Sequence, residues 1–238
     1  MTLLLTAVLL AGTPADSLCD RAANLFFNRH LAPDNLENAR RLLAEVRALA
    51  PKHERGLYLW SRLHVQLGDL AKTKRDKFRL YERARAIADT LKRLNPNNPD
   101  GVMWWAVAQA RIGQTRGVLN SLFMVPTLKR EFGRVLELDP KYATAYDAFG
   151  VLYCELPAFA GGDLALSEEY LVRGLQIDPN YTLMRLDLAK TYIKQGRIDD
   201  ARTQLNYVLA TTRPTFPADC ILDDQPEARE LLDRLDRR

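Results

Sequence analysis

Two carboxylates, Glu155 and Asp163, flank a loop that reads ELPAFAGGD, and a pair of acids is what general acid–base cleavage of a glycosidic bond requires. Carboxylates eight residues apart on either side of a turn are common, so the pair by itself names no reaction. The histidines His30, His53 and His64 and the cysteines Cys19, Cys154 and Cys220 carry the remaining metal and nucleophile chemistry. They do not cluster with one another or with acidic pairs at ligand spacing, so no zinc site is expected, and each histidine reads as a surface or groove residue. The glycine-rich phosphate and dinucleotide loops, the nucleophile elbow and the HExxH helix are missing as well. This chemistry points to no catalytic residue, no metal and no cofactor. An exported chain could bridge any two of the cysteines, and the spacing does not choose between them.

Aromatic residues offer binding rather than reaction. Trp104 and Trp105 are adjacent, and neighbouring residues of a helix diverge by about 100°. One ring is therefore expected in the core and the other against a neighbouring repeat or a groove. Asn180-Tyr181-Thr182 matches a glycosylation sequon but falls in a turn between repeats, where the match reads as accidental.

The elements that place these residues follow from a repeat. Two near-copies, LELDPKY (136–142) and LQIDPNY (175–181), put Pro140 and Pro179 39 residues apart. Proline ends a helix because it cannot donate a hydrogen bond and restricts the residue before it. Counting back from each proline gives helix A with a small residue at its crossing, a turn with glycine, then helix B with a second small residue. The clearest copy is LDLAKTYIKQGRIDDARTQLNYVL (186–209), with Ala189, Tyr192, Gly196, Ala201 and Leu205 at the template positions. One copy earlier, Gly150 to Gly162 spans 12 residues where Ala189 to Gly196 spans 7, so five residues are inserted between the helices. Pro157 is expected to stop helix A there, Gly161 and Gly162 to reverse the chain, and Asp163 to cap helix B.

Earlier copies carry longer inserts. In the third, VMWWAVAQARIG supplies helix A with Gly113 at the turn, and the apolar QTRGVLNSLFMVP predicts an extended helix pair broken at Pro126. In the second, YLWSRLHVQLGD and YERARAIADTLKRLNP are the two helices, and the basic KTKRDKFR between them continues a helix on a polar face. In the first, SLCDRAANLFFNRHL precedes LENARRLLAEVRALAP, and Ala39 to Pro51 repeats the spacing of Ala84 to Pro96. After Leu209, TTRPTFPADCILDDQ is expected to be irregular, with Pro226 opening a short capping helix of polar outer face.

This pattern resembles the tetratricopeptide repeat, whose period is about 34 residues. The expected fold is all-α, a helical-hairpin solenoid of about five hairpins over 16–213 with inserted inter-helix segments, and an irregular segment plus capping helix over 214–238. Repeat geometry puts helix A on the inner wall. The positions three before and one after each small residue, Tyr58 and Arg62, Met103 and Val107, Asp147 and Val151, Leu186 and Lys190, are the candidate groove lining. Such a mixed lining suits a peptide, a protein surface or an elongated small ligand.

Charge and composition bound the partners. With 34 basic and 30 acidic residues spread along the chain, the net +4 makes no basic stripe, and nucleic acid is not expected as a partner. Residues Leu3 to Ala11 form an apolar stretch too short to span a bilayer but long enough for the core of an export signal over 1–15, with cleavage near Ala15. A periplasmic or secreted location is expected on that ground, and no stable membrane anchor.

The run from Val102 to Leu235, through MWWAVAQARIG, RVLELDPKYATAYDAFGVLYCELPAFAGGD and DDQPEARELLDRL, resembles the T-component proteins associated with TRAP transporters. It is also similar to the regulator of microtubule dynamics proteins. The first resemblance implies a non-enzymatic protein working with a periplasmic solute-binding protein, able to form a ring-like homo-oligomer that passes an apolar or anionic ligand. Thr13 stands where a lipid-modified cysteine of that family would be. The second resemblance implies an intracellular scaffold.

Overall fold

The computed structural model describes residues 13–237, apart from the side chains of residues 118 and 119, so the apolar stretch Leu3 to Ala11 lies outside the described residues. The described residues are helical, with no strand. Five antiparallel pairs follow in chain order: α1 (Pro14–Phe27) with α2 (Asn35–Leu49), α3 (Glu54–Leu70) with α4 (Lys74–Leu94), α5 (Pro99–Arg116) with α6 (Val118–Leu138), α7 (Ala143–Glu155) with α8 (Leu164–Ile177), and α9 (Thr182–Lys194) with α10 (Ile198–Ala210). Their buried side chains form three clusters in sequence along the stack, each shared by adjacent pairs. That is how a hairpin unable to bury its own apolar faces becomes stable.

The turns between pairs explain the repeated phrase. Asn95, Asp139 and Asp178 each accept, through the side-chain oxygen, the backbone N–H two residues on, at 3.1, 2.9 and 3.1 Å. The following proline has no N–H to compete. Within each pair the small residues permit the close crossing. The Ser61 hydroxyl donates to the Ala84 carbonyl at 2.9 Å. A Cβ on Gly150 would lie 2.3 Å from Leu171 Cγ.

The GGD loop behaves as its residues dictate. α7 ends at Glu155, a single 3-10 turn covers Ala158–Ala160, and Gly161 takes φ +88°, a left-handed conformation that glycine adopts freely. Asp163 then accepts the N–H groups of Ala165 and Leu166 at the start of α8. Gly162 is required for a different reason: a Cβ there would stand 1.9 Å from the Leu156 carbonyl oxygen, a backbone atom that no rotamer change moves. Gly162→Ala is therefore expected to destabilise the protein by about 1–3 kcal/mol. Gly133→Ala in α6, where no atom lies within 4 Å of the new Cβ, should be neutral or stabilising by about 0.5–1 kcal/mol. Urea denaturation of the two variants checks the contrast, and equal midpoints would refute the backbone clash.

Three expectations are corrected. The turn of the third pair is at Gly117, with φ +107°, and not at Gly113, which lies buried inside α5. A Cβ on Gly113 would meet Met124 Sδ at 2.7 Å, so that glycine serves the close approach of α5 to α6. Nor does Pro126 break the helix, since α6 runs through it. Burial of Val125, Leu128 and Phe132, about 1.5–3 kcal/mol each, offsets the roughly 3 kcal/mol cost of an internal proline. The third correction concerns the C-terminal segment. It becomes helical at Pro217, nine residues earlier than expected, and runs through α11 (Pro217–Asp219), a π-helical turn (Cys220–Asp224) and α12 (Gln225–Asp236). Its outer side is not wholly polar, because Ile221 and Leu222 are exposed.

Candidate functional site

The segment after α10 does not simply cap the end of the stack. It turns back across the face made by the odd-numbered helices and reaches α1. Phe216 stacks on Phe27 of α1 with ring centroids 5.6 Å apart and meets Tyr181 edge-on at 5.2 Å. Asp219 pairs with Arg29 at 2.6 Å and lies 3.6 Å from Arg62, Asp223 pairs with Arg29 at 3.1 Å, and Asp224 accepts the Thr182 hydroxyl at 2.6 Å. The groove at Arg62 is thus covered by the chain's own tail.

Arg62 is the hub of the contact. Its guanidinium lies 4.3 Å from the Phe216 ring, 4.6 Å from Phe27, 5.0 Å from Trp104 and 5.8 Å from Phe26, and donates to the Tyr58 hydroxyl at 3.1 Å. A planar, weakly hydrated cation is suited to such a cage of ring faces. Trp104 faces this cage, with its Nε1 buried and unpartnered, while Trp105 receives Lys92 over its ring at 4.7 Å.

A second cluster, further along the same face, is acidic. Asp147 of α7, Asp187 of α9 and Asp224 of the π-turn are all buried. Burial, followed by the charges of Asp187 and Asp224, pushes the Asp147 carboxyl well above the usual range, and its Oδ1 has no hydrogen-bond partner. Asp224 is pushed up to about 7 by burial, with the Thr182 hydrogen bond opposing and Asp219, Asp187 and Asp223 adding to the rise. The cation nearby is Lys190, which bonds Asp187 at 3.0 Å and Glu227 of α12 at 2.9 Å. Burial favours the neutral amine, and these two carboxylates outweigh it and hold Lys190 protonated.

Of the eight positions read from the repeat, the fold brings Tyr58 and Arg62 into the cage and Asp147 and Lys190 into the acidic cluster. Met103 and Leu186 are fully buried core residues, and Val107 and Val151 are half-buried. Phe27, Arg29, Thr182, Asp187 and the tail residues Phe216, Asp219, Asp223 and Asp224 were not expected at the site. A signal for the tail was present. Phe216, Asp219, Asp223 and Asp224 follow i, i+3, i+7, i+8 spacing, and Pro217 suits the first position of a helix.

One other constellation resembles a nucleophile site. Contrary to the sequence reading, His53 is brought to both a cysteine and an acid: its Nδ1 lies 3.6 Å from Cys19 Sγ and its Nε2 2.9 Å from Asp16 Oδ1. The His53 Nδ1 lone pair already accepts the Gly56 N–H at 3.1 Å as the cap of α3, so it is not free to take a proton from the thiol. Burial pushes the Cys19 thiol up, away from the reactive thiolate, and the adjoining hollow holds about 10 Å³, room for a water at most. Hydrogen bonds from Thr13 and then His53 hold the Asp16 carboxyl down at about 2. These residues fasten α1 to α3. His64 is likewise buried, with Nδ1 at 2.8 Å from the Trp60 carbonyl. Glu155 and Asp163 do separate work, the first paired with Lys194 at 2.8 Å and the second capping α8. The three cysteines are buried and unbridged, and among the described residues no group of three or more His, Cys, Asp or Glu side chains could hold a metal ion. No described helix is long and apolar enough to cross a membrane.

Comparison with known families bears on this geometry. The family described as "Regulator of microtubule dynamics protein 1-3" matches residues 26–157, more than half of the chain. The chain belongs to that family. It is the second of the two that the sequence resembles. A tetratricopeptide repeat family matches residues 158–217, so both matches end by the start of the helical tail. Regulator of microtubule dynamics protein 1 of Mus musculus is 26% identical over 161 residues, covering 59% of this chain and 52% of the relative. The protein of the same name from Bos taurus is 29% identical over 135 residues, covering 50% and 42%. The chain spans about half the length of the curated relatives it matches. Among solved structures, a thermophilic TPR protein in Thermus thermophilus aligns with a TM-score of 0.68 at 18% identity, over 92% of this chain and 97% of that one. PilW, a widely conserved type IV pilus biogenesis factor, aligns with a TM-score of 0.59 at 15% identity, over 94% of each chain. These likenesses show the fold, and with the family match they make the protein a tetratricopeptide-type interaction scaffold.

Proposed function

We propose that the protein acts without catalysis, by holding a segment of a protein partner against the face formed by α1, α3, α5, α7 and α9. One observation carries this reading: that face already seats a polypeptide segment, residues 216–224, through an arginine cage and paired ions. Aromatic and arginine anchors of this kind dominate protein recognition. The family match favours an intracellular scaffold, with microtubule-linked partners suggested by the names of the relatives. A photo-reactive residue at Val151, on α7 of this face, should trap a defined partner in the native host, whereas one at exposed Arg93 of α4 should not. Trapping of the same proteins from both positions would refute the assignment of the face.

A second reading, an envelope protein working with a solute-binding protein, rests on the apolar stretch Leu3 to Ala11 and the T-component resemblance. α1 is capped at Thr13, whose hydroxyl accepts the Asp16 N–H, and Ala15 is buried. A cut that keeps Thr13 would preserve that first turn. The N-terminus of the protein isolated from its host separates the readings: an intact Met1 excludes export by cleavage.

A further inference from the structure

The tail is an imperfect occupant of its own site. Phe216 and Asp219 find complementary partners in the Arg62 cage and in Arg29. Asp224 does not: apart from the Thr182 hydroxyl, it enters a buried region that already holds Asp147 and Asp187, and Asp147 Oδ1 is left without a hydrogen-bond donor. Burial and the neighbouring carboxyl groups disfavour the charged form of Asp224, the nearby Lys190 is engaged by Asp187 and Glu227, and an unpartnered buried acceptor keeps its desolvation cost. The π-turn at Cys220–Asp224 sets this geometry, because it presents Asp223 to Arg29, in the turn after α1, and Asp224 to Thr182, at the start of α9.

Resting on the proposed function of this face, we propose that its partner is a helix-forming segment with an aromatic residue, an acid three positions later, and a basic or amide side chain in place of Asp224. The aromatic enters between Phe27 and Tyr181 beneath Arg62, the acid pairs with Arg29, and the basic or amide group donates to Asp147 Oδ1. Such a segment displaces the tail, which shields the aromatic cage in its absence. This is helix-in-groove recognition with the chain's own C-terminal segment as the resident competitor.

A fluorescent peptide spanning residues 213–226 and a copy carrying Asp224→Lys provide the probes. Both are titrated against the full-length protein and against a full-length Phe216→Ala/Asp219→Ala variant in which the tail is loosened. The Lys peptide should bind the variant roughly tenfold or more tighter than it binds wild type, because the wild-type tail competes at high effective concentration. It should also bind the variant more tightly than the unaltered peptide does, and adding Arg62→Ala should abolish binding. In wild type, excess Lys peptide should speed hydrogen exchange at the amides of Ala218 to Asp224, a measurement that does not depend on the variant folding. Equal affinity of the Lys peptide for wild type and variant, a preference for the unaltered peptide, or unchanged tail exchange would each overturn the proposal. So would dimerisation of the variant through exchanged tails, which would make a second copy the occupant. If the peptides fail while the residue at Val151 still traps a partner, the partner chemistry falls and the interaction face stands.

Discussion

Arg62→Ala is expected to lower the free energy of unfolding by roughly 2–3 kcal/mol, through the ring packing and cation–π contacts of the guanidinium that are lost. The Arg62 side chain is 11% exposed, so its loss leaves a gap lined by Phe27, Trp104 and Phe216 and strips Tyr58 of its donor. Asp219 would keep Arg29 alone. The damage should concentrate at the junction of the two ends of the chain. Hydrogen exchange should accelerate at α1 and at residues 216–224 before it does so in α4 or α8. Arg62→Lys should recover only part of the loss, because an ammonium cannot lie flat against several rings at once. A variant with wild-type denaturation and unchanged exchange in the tail would show that the cage does not hold the segment.

The second large effect is a pH dependence at Asp224. In the folded protein its carboxyl is pushed up from the ordinary 3.8 to about 7 by burial, with Asp219, Asp187 and Asp223 adding to the rise against the Thr182 hydrogen bond. Asp147 of α7, Lys190 of α9 and Glu227 of α12 complete the charged surroundings. Between about pH 4 and 7 the unfolded chain has released this proton and the folded chain retains it, so the contribution of Asp224 to stability falls as pH rises and levels off above pH 7. A shift of about three units corresponds to roughly 4 kcal/mol. Asp224→Asn removes the titration while its side-chain oxygen can still accept the Thr182 hydroxyl. Its stability relative to wild type should therefore rise by about 2.7 kcal/mol between pH 5 and pH 8, the part of that change lying between pH 5 and the folded value near 7, as read from urea denaturation at each pH. A difference independent of pH would mean that Asp224 is charged in the folded state throughout.

Much of the architecture was legible from local chemistry. Asp-Pro and Asn-Pro after helix B, a small residue at each crossing and Gly196 at a turn state their requirements within a few residues of one another. A left-handed backbone, a capped amide or a missing N–H is a local demand. The GGD loop was readable for that reason, down to Asp163 as the cap of α8. Where a residue served two purposes, local reading chose the wrong one. Gly113 looked like a turn glycine and proved to be a contact with Met124, and Pro126 looked like a break and proved tolerable inside a helix anchored by buried neighbours. Neither distinction can be made without knowing what lies across the interface.

The sequence by itself determined the all-α class, the period of the stack, the pairing order of its helices and the lack of any recognised catalytic motif. Only the tertiary structure decided that the tail folds back to join Phe216 and Asp219 to Phe27, Arg29 and Arg62, since Arg29 and Asp223 are 194 residues apart along the chain. Helix periodicity reports which side of a segment is apolar, but not which distant surface will cover it. That choice depends on the accumulated rotation of five stacked hairpins, a sum of small angles that no short stretch of residues encodes.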